Sequence, residues 1–228
     1  MKRMIIILTV VLAASAAAFD PLDMDTIETG DTETYREAHE YFLEGKELFN
    51  GGHYKDARSY YMRAIATEPN FPEAQYGLAM VDIKLELYTE AETALKKALE
   101  LEPEWEFVHS ELGTVYYKKG EYNAAALELS DALKYDPDDE VARYMLAKTY
   151  WRLGKLDKAV GEYEKVLEQD PDNIDCYYDM GLVYEEAGDA DKAITAFETF
   201  IERAGDDPAQ EEWVQRARKY IMEIKGEL

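Results

Sequence analysis

Cysteine is almost absent from this 228-residue chain. Cys176 stands alone, which excludes an internal disulfide, a CxxC redox pair and a cysteine-rich metal site. Histidine is nearly as scarce: His39, His53 and His109 are scattered, and none lies three or four residues from another, as paired helical metal ligands would. A phosphate-cradling glycine loop and a recognisable nucleophile-base set are missing as well. The acidic turns 136–140 and 170–175 do not make a calcium loop. In the pattern that would start at Asp170, Ile174 and Asp175 stand where an oxygen ligand and a glycine are needed. No catalytic residue, no metal and no cofactor is expected, and the chain reads as a non-enzyme.

Positive charge is the next scarcity. Twenty-five Lys and Arg face 49 Asp and Glu, a formal charge of -24, which repels nucleic-acid phosphates and anionic membrane surfaces. Nucleic acid is therefore excluded as a partner. Long apolar runs are also missing beyond the first eighteen residues. There, Lys2 and Arg3 precede an apolar stretch from Met4 that ends in Ala16, Ala17 and Ala18, the pattern of a secretory signal peptide. The stretch is about fifteen residues long, short of the roughly twenty that span a bilayer. The expectation is a cleaved segment 1–18, an exported protein that is periplasmic or secreted, and no integral membrane segment in the mature chain. An uncleaved anchor would export the rest equally. Residues 19–34 carry six acids, no bases and no helical period, and read as a flexible acidic linker.

What the chain does have is apolar material and a repeat. Apolar residues make up 47% and aromatics 12%, enough for a packed interior. Pro69, Pro103, Pro137 and Pro171 stand 34 residues apart, and Ala57, Ala91, Ala125, Ala159 and Ala193 keep the same interval. Each unit decodes as two helices: an apolar stretch of period 3.6, a glycine-bearing break, a second stretch, and an Asp- or Glu-Pro stop. In the third unit Leu112, Val115 and Tyr116 share one face, Gly120 ends the first helix, and Ala125, Leu129 and Ala132 line the second. The alanines recur because two backbones approach closely there.

A period of 34 with these residues resembles the tetratricopeptide repeat. The family's small residue in the first helix is met by Gly45, Ala79, Gly113, Ala147 and Gly181, and its large residue in the second by Tyr61, Leu95, Leu129, Tyr163 and Phe197. The resemblance implies an all-α, right-handed superhelical solenoid of antiparallel helix hairpins. Five units are expected across 35–207, at about 38–71, 72–105, 106–139, 140–173 and 174–207. Two departures carry expectations of their own. Glu86 replaces the turn glycine of the second unit, so that turn should be less standard, and Gly205 replaces the closing proline of the fifth. Asp207 and Pro208 should open a capping helix over 208–228, with Trp213, Ala217, Tyr220 and Ile224 covering the last hairpin.

The resemblance further implies that the first helices of successive units line a concave groove, through the second, fifth, ninth, twelfth and thirteenth positions of each unit. Carried onto this chain, those positions hold the cations Lys46, Lys84, Lys118, Lys148 and Arg152. They also hold Phe42, Phe49, Tyr76, Met80, Ile83, Phe107, Tyr117, Tyr144, Trp151 and Tyr178. Aromatic and long basic side chains are the usual anchors of protein recognition. The expected function is a protein-protein interaction scaffold or adaptor of the cell envelope. Its groove would take a partner peptide that is acidic and carries apolar anchors. The alternative is a glycan- or peptidoglycan-binding module using the same aromatics.

Overall fold

A computed structural model describes residues 33–227. The expected signal peptide and nearly all of the expected linker lie outside the described residues. The described residues form eleven α-helices and no strands: α1 (Glu33–Asn50), α2 (Tyr54–Thr67), α3 (Pro72–Lys84), α4 (Tyr88–Leu101), α5 (Glu106–Lys119), α6 (Tyr122–Tyr135), α7 (Glu140–Arg152), α8 (Leu156–Gln169), α9 (Ile174–Ala187), α10 (Ala190–Ala204) and α11 (Glu211–Lys225). Each odd helix packs antiparallel on the even helix after it, and each hairpin packs on the next, which makes a right-handed solenoid closed by α11. No described helix is long and apolar enough to cross a membrane.

The pairing follows from a small residue facing a large one. Tyr61, Leu95, Leu129, Tyr163 and Phe197 of the even helices are all completely buried. A Cβ placed on Gly113 would stand 2.5 Å from Leu129 Cγ, and one on Gly181 would stand 2.6 Å from the Phe197 ring. The large side chain therefore lies directly on the backbone of the odd helix, and any substituent there would force the hairpin apart. Prolines 69, 103, 137 and 171 sit in the turns after α2, α4, α6 and α8, because a proline ring displaces the preceding residue from helical dihedrals. Side chains of Asp139, Asn173 and Asp189 accept backbone N–H bonds at the starts of α7, α9 and α10.

Three boundaries differ from the sequence reading. Helix α1 begins at Glu33, so its first two residues fall within the stretch expected as linker; no proline or glycine stands between Glu33 and Ala38 to interrupt it. The second unit's turn is of the same kind as the others rather than less standard. Glu86 takes φ +59°, alongside +76°, +80°, +68° and +78° for Gly52, Gly120, Gly154 and Gly188. Packing on both sides imposes the turn, and a glutamate accepts a left-handed backbone that costs about 1 to 2 kcal/mol. Pro208 lies in a turn before the last helix, where Asp207 Oδ1 accepts from Ala209 N at 2.9 Å; Gln210 is the N-cap and α11 starts at Glu211. Its buried line is Val214, Ala217 and Ile221, with Tyr220 and Ile224 half-buried beside it and Trp213 at the edge.

Candidate functional site

The odd helices stand side by side, α1 against α3 and α5 against α7, so their outward positions form one continuous surface. The fifteen residues assigned to it divide by depth. Phe42, Tyr76 and Tyr178 are buried. The Phe42 ring packs on Tyr61 and Phe71, Tyr76 lies 5.3 Å from Trp105, and Tyr178 meets Phe197, Phe200 and Trp213 at 5.2 to 5.7 Å. These three are wall rather than anchor. Phe49, Met80, Ile83, Phe107, Tyr117, Tyr144 and Trp151 are half-buried, as are Lys46 and Lys148, while Lys84, Lys118 and Arg152 are exposed.

The cations do not stand in a field of their own sign. Lys84 acts on Glu111 of the next odd helix: burial pushes the Glu111 carboxyl up, and the Lys84 charge pulls against that shift. Arg152 lies 5.4 Å over the Tyr122 ring and donates from Nε to its hydroxyl at 3.2 Å, while Tyr117 meets Tyr122 edge-on at 5.5 Å. Burial raises the Tyr117 phenol, against the opposing charge of Arg152. Trp151 Nε1 donates to Glu186 Oε2 at 2.6 Å.

The densest polar arrangement centres on Asp179 of α9, which is buried. Its Oδ2 accepts from Tyr144 Oη at 2.8 Å and Tyr163 Oη at 3.1 Å, and Lys148 Nζ lies 3.6 Å away. Burial, then the Asp179 charge, drives both phenols far above their ordinary value, so at neutral pH they stay protonated and donate to the carboxylate. The neighbouring Cys176 thiol is pushed up to about 12, by burial first and then by Asp179, which leaves it inert.

The structure thus brings Tyr144 and Lys148 together on Asp179, and Tyr117 and Arg152 together on Tyr122. It leaves Phe42, Tyr76 and Tyr178 in the interior. Asp179, Tyr122, Glu111 and Glu186 were missed by the sequence reading. A signal existed for Glu111 and Asp179: they occupy one equivalent position of the unit, where the other units carry Leu43, Gly77 and Met145.

His109 comes within metal-ligating distance of Glu128 and Asp131, the three donor atoms lying within 4.8 Å of one another. Both ring nitrogens already face oxygen, Nδ1 at 2.8 Å from Glu128 Oε2 and Nε2 at 3.0 Å from the Pro103 carbonyl, and Asp131 is bonded to Lys134. A cation would have to displace one of these bonds.

An array of helix hairpins with a polar and aromatic inner face defines a repeat-built binding scaffold. Family models described as tetratricopeptide repeat match residues 48–110, 110–174 and 162–195, together running from 48 to 195. The chain belongs to the tetratricopeptide repeat family. No curated protein sequence matches it. Among solved structures, YrrB, described as a TPR protein with an unusual peptide-binding site, superimposes with a TM-score of 0.70 at 25% identity, over 82% of this chain and 98% of that one. A MamA protein gives 0.71 at 27% identity, over 74% and 92%. MamA from Desulfovibrio magneticus RS-1 gives 0.72 at 25%, over 75% and 98%.

Proposed function

We propose that the protein is a non-catalytic scaffold of the cell envelope that holds a partner peptide along the odd helices. The observation that carries this reading is the line of half-buried apolar and aromatic side chains beside exposed cations on α3, α5 and α7, where Met80, Ile83, Tyr117 and Trp151 stand next to Lys84, Lys118 and Arg152. Half-buried rings offer apolar area that a ligand can finish covering, worth about 1.5 to 3 kcal/mol for a fully covered side chain. Two or three such anchors support micromolar binding after the cost of association. The likeness to YrrB, whose description includes a peptide-binding site, supports the same use of the fold. Export to the envelope is supported by the pattern of residues 1–18.

The test immobilises the full chain beside the variant Lys84→Glu, Lys118→Glu, Arg152→Glu and identifies proteins captured from the host's envelope fraction by mass spectrometry. One protein retained by the parent and lost by the variant, at unchanged helical content, supports the groove. Equal capture by both defeats it.

A further inference from the structure

At the rear end of the odd-helix surface, α7, α9, α10 and α11 enclose a pocket of about 190 Å³ that no repeat unit builds alone. Its walls are the rings of Tyr144, Tyr178 and Trp213, and its polar groups are Asp175, Asp179 and Lys148. Ligand sites for drug-sized molecules run to roughly 300 to 1,000 Å³, so this volume suits a single side chain. We propose that it receives an arginine side chain of the partner peptide, a proposal that rests on the groove reading above and deepens it.

Two carboxylates against one lysine leave the pocket short of one positive charge. The three polar contacts of Asp179 all fall on Oδ2, and Oδ1 of this carboxylate on the pocket wall accepts none of them. Aromatic faces attract cations, and the walls already do so within this chain. Lys148 Nζ stands 5.0 Å over Tyr144, and Arg216, ion-paired with Glu212 at 2.6 Å, lies 4.8 Å over Trp213. Arginine fits better than lysine because its planar guanidinium stacks on rings and offers paired N–H groups to a carboxylate. Trp213, exposed at 43% and 5.2 Å from the Tyr178 ring, stands where covering it would exclude water. The 3.6 Å separation of Lys148 from Asp179 makes Lys148 a weakly seated internal competitor that an incoming guanidinium displaces.

The test needs no partner. The full chain is titrated with N-acetyl-arginine N-methylamide, and with the citrulline equivalent, which has the same shape without the charge. The indole N–H signal of Trp213 is followed by NMR and assigned from its loss in Trp213→Phe. The expected result is a saturable shift with the arginine probe and binding at least about tenfold weaker with citrulline. Asp175→Asn should weaken the arginine probe several-fold, and Lys148→Ala should tighten it by roughly threefold to tenfold, a sign that a merely structural lysine would not produce. No shift of Trp213, an equal response to citrulline, or weaker binding in Lys148→Ala overturns the proposal. If Trp213 responds as expected while the charge-reversed groove variant still captures every protein that the parent does, the pocket stands and the groove reading falls. The opposite pair of results sinks the pocket alone.

Discussion

Two buried aspartates, one in each half of the array, show how differently the same fold carries a charge. Asp82 on α3 is fully buried and has one partner, Arg58, whose Nε donates to Oδ1 at 2.6 Å, while Oδ2 has no hydrogen bond at all. Asp179 on α9 gathers two phenols and a lysine on one oxygen. Burial drives the Asp82 carboxyl upward, and the bond and charge of Arg58 only partly reverse this. The front half therefore holds its acid at a cost, and the rear half has built a network around it. A cost without full compensation is a packing accident or a concession; a network of donors from two helices on the acid of a third positions groups, here at the edge of the pocket.

The largest expected effect follows from removing the network's centre. Asp179→Ala leaves two buried hydroxyls and Lys148 without their acceptor and should destabilise the protein by about 3 kcal/mol, read as a lower denaturant midpoint by far-UV circular dichroism. A loss below about 1 kcal/mol would mean that the network is ornamental and that the two halves do not differ.

The counterpart is Asp82→Asn, which keeps an acceptor for Arg58 and removes the buried charge, so it should cost about 1 kcal/mol or less at neutral pH. Its signature lies in the pH dependence. Asp82 holds its proton more tightly in the folded state than its ordinary value of 3.8. Between those two values the folded state binds more protons, and stability falls as pH rises through that window. Glu73, Glu102 and Glu111 are raised by burial and act in the same direction above 4.5. Burial also raises Glu92, but bonds from Lys119 and Lys96 more than reverse this and leave it lowered, which opposes the trend. Thermal midpoints should fall as pH rises from just above 3.8 towards neutrality, and Asp82→Asn should flatten that slope. An unchanged slope would remove Asp82 from the account.

The smallest effect is a gain. Glu86→Gly relieves a left-handed glutamate and, after the added freedom of the unfolded chain, should stabilise the protein by about 0.5 to 1 kcal/mol. The same denaturant measurement checks it, and a loss would show that the Glu86 side chain contributes more than its backbone costs.

The fold was legible in the sequence because every unit repeats the same packing problem. A glycine or alanine on the odd helix must meet a large side chain on the even one, and the period of 34 reports that shared demand directly. The binding surface was legible only in outline, because its chemistry lies in what the units do not share. Asp179 meets Tyr163 sixteen residues earlier and Tyr144 thirty-five residues earlier, and its pocket is closed by Trp213 from outside the repeats. Periodicity averages over such features. The depth of Phe42, Tyr76 and Tyr178 was hidden for a related reason: a position that faces the groove in one unit turns inward when a neighbour supplies rings such as Phe71, Trp105 or Phe200 for it to pack on. Helix α1 started early because the signals that delimit the other units are all placed between units.

Several polar bonds that tie one unit to the next about one period away belong to the rear half: Tyr144 to Asp179, Trp151 to Glu186, Asn173 to Glu140 and Arg203 to Asp172. Units of the front half are tied in the same way, Arg58 to Asp82 and both Tyr116 and Lys119 to Glu92, beside apolar contacts such as Phe42 on Phe71 and Tyr76 on Trp105, and hydrogen bonds fix angle as well as distance where apolar contact does not. The coil is then a spring whose successive turns are clipped to one another along its length. Under a tug on both termini, the clips around Asp179 would hold the pitch of their turns and keep the mouth of the pocket at a constant width.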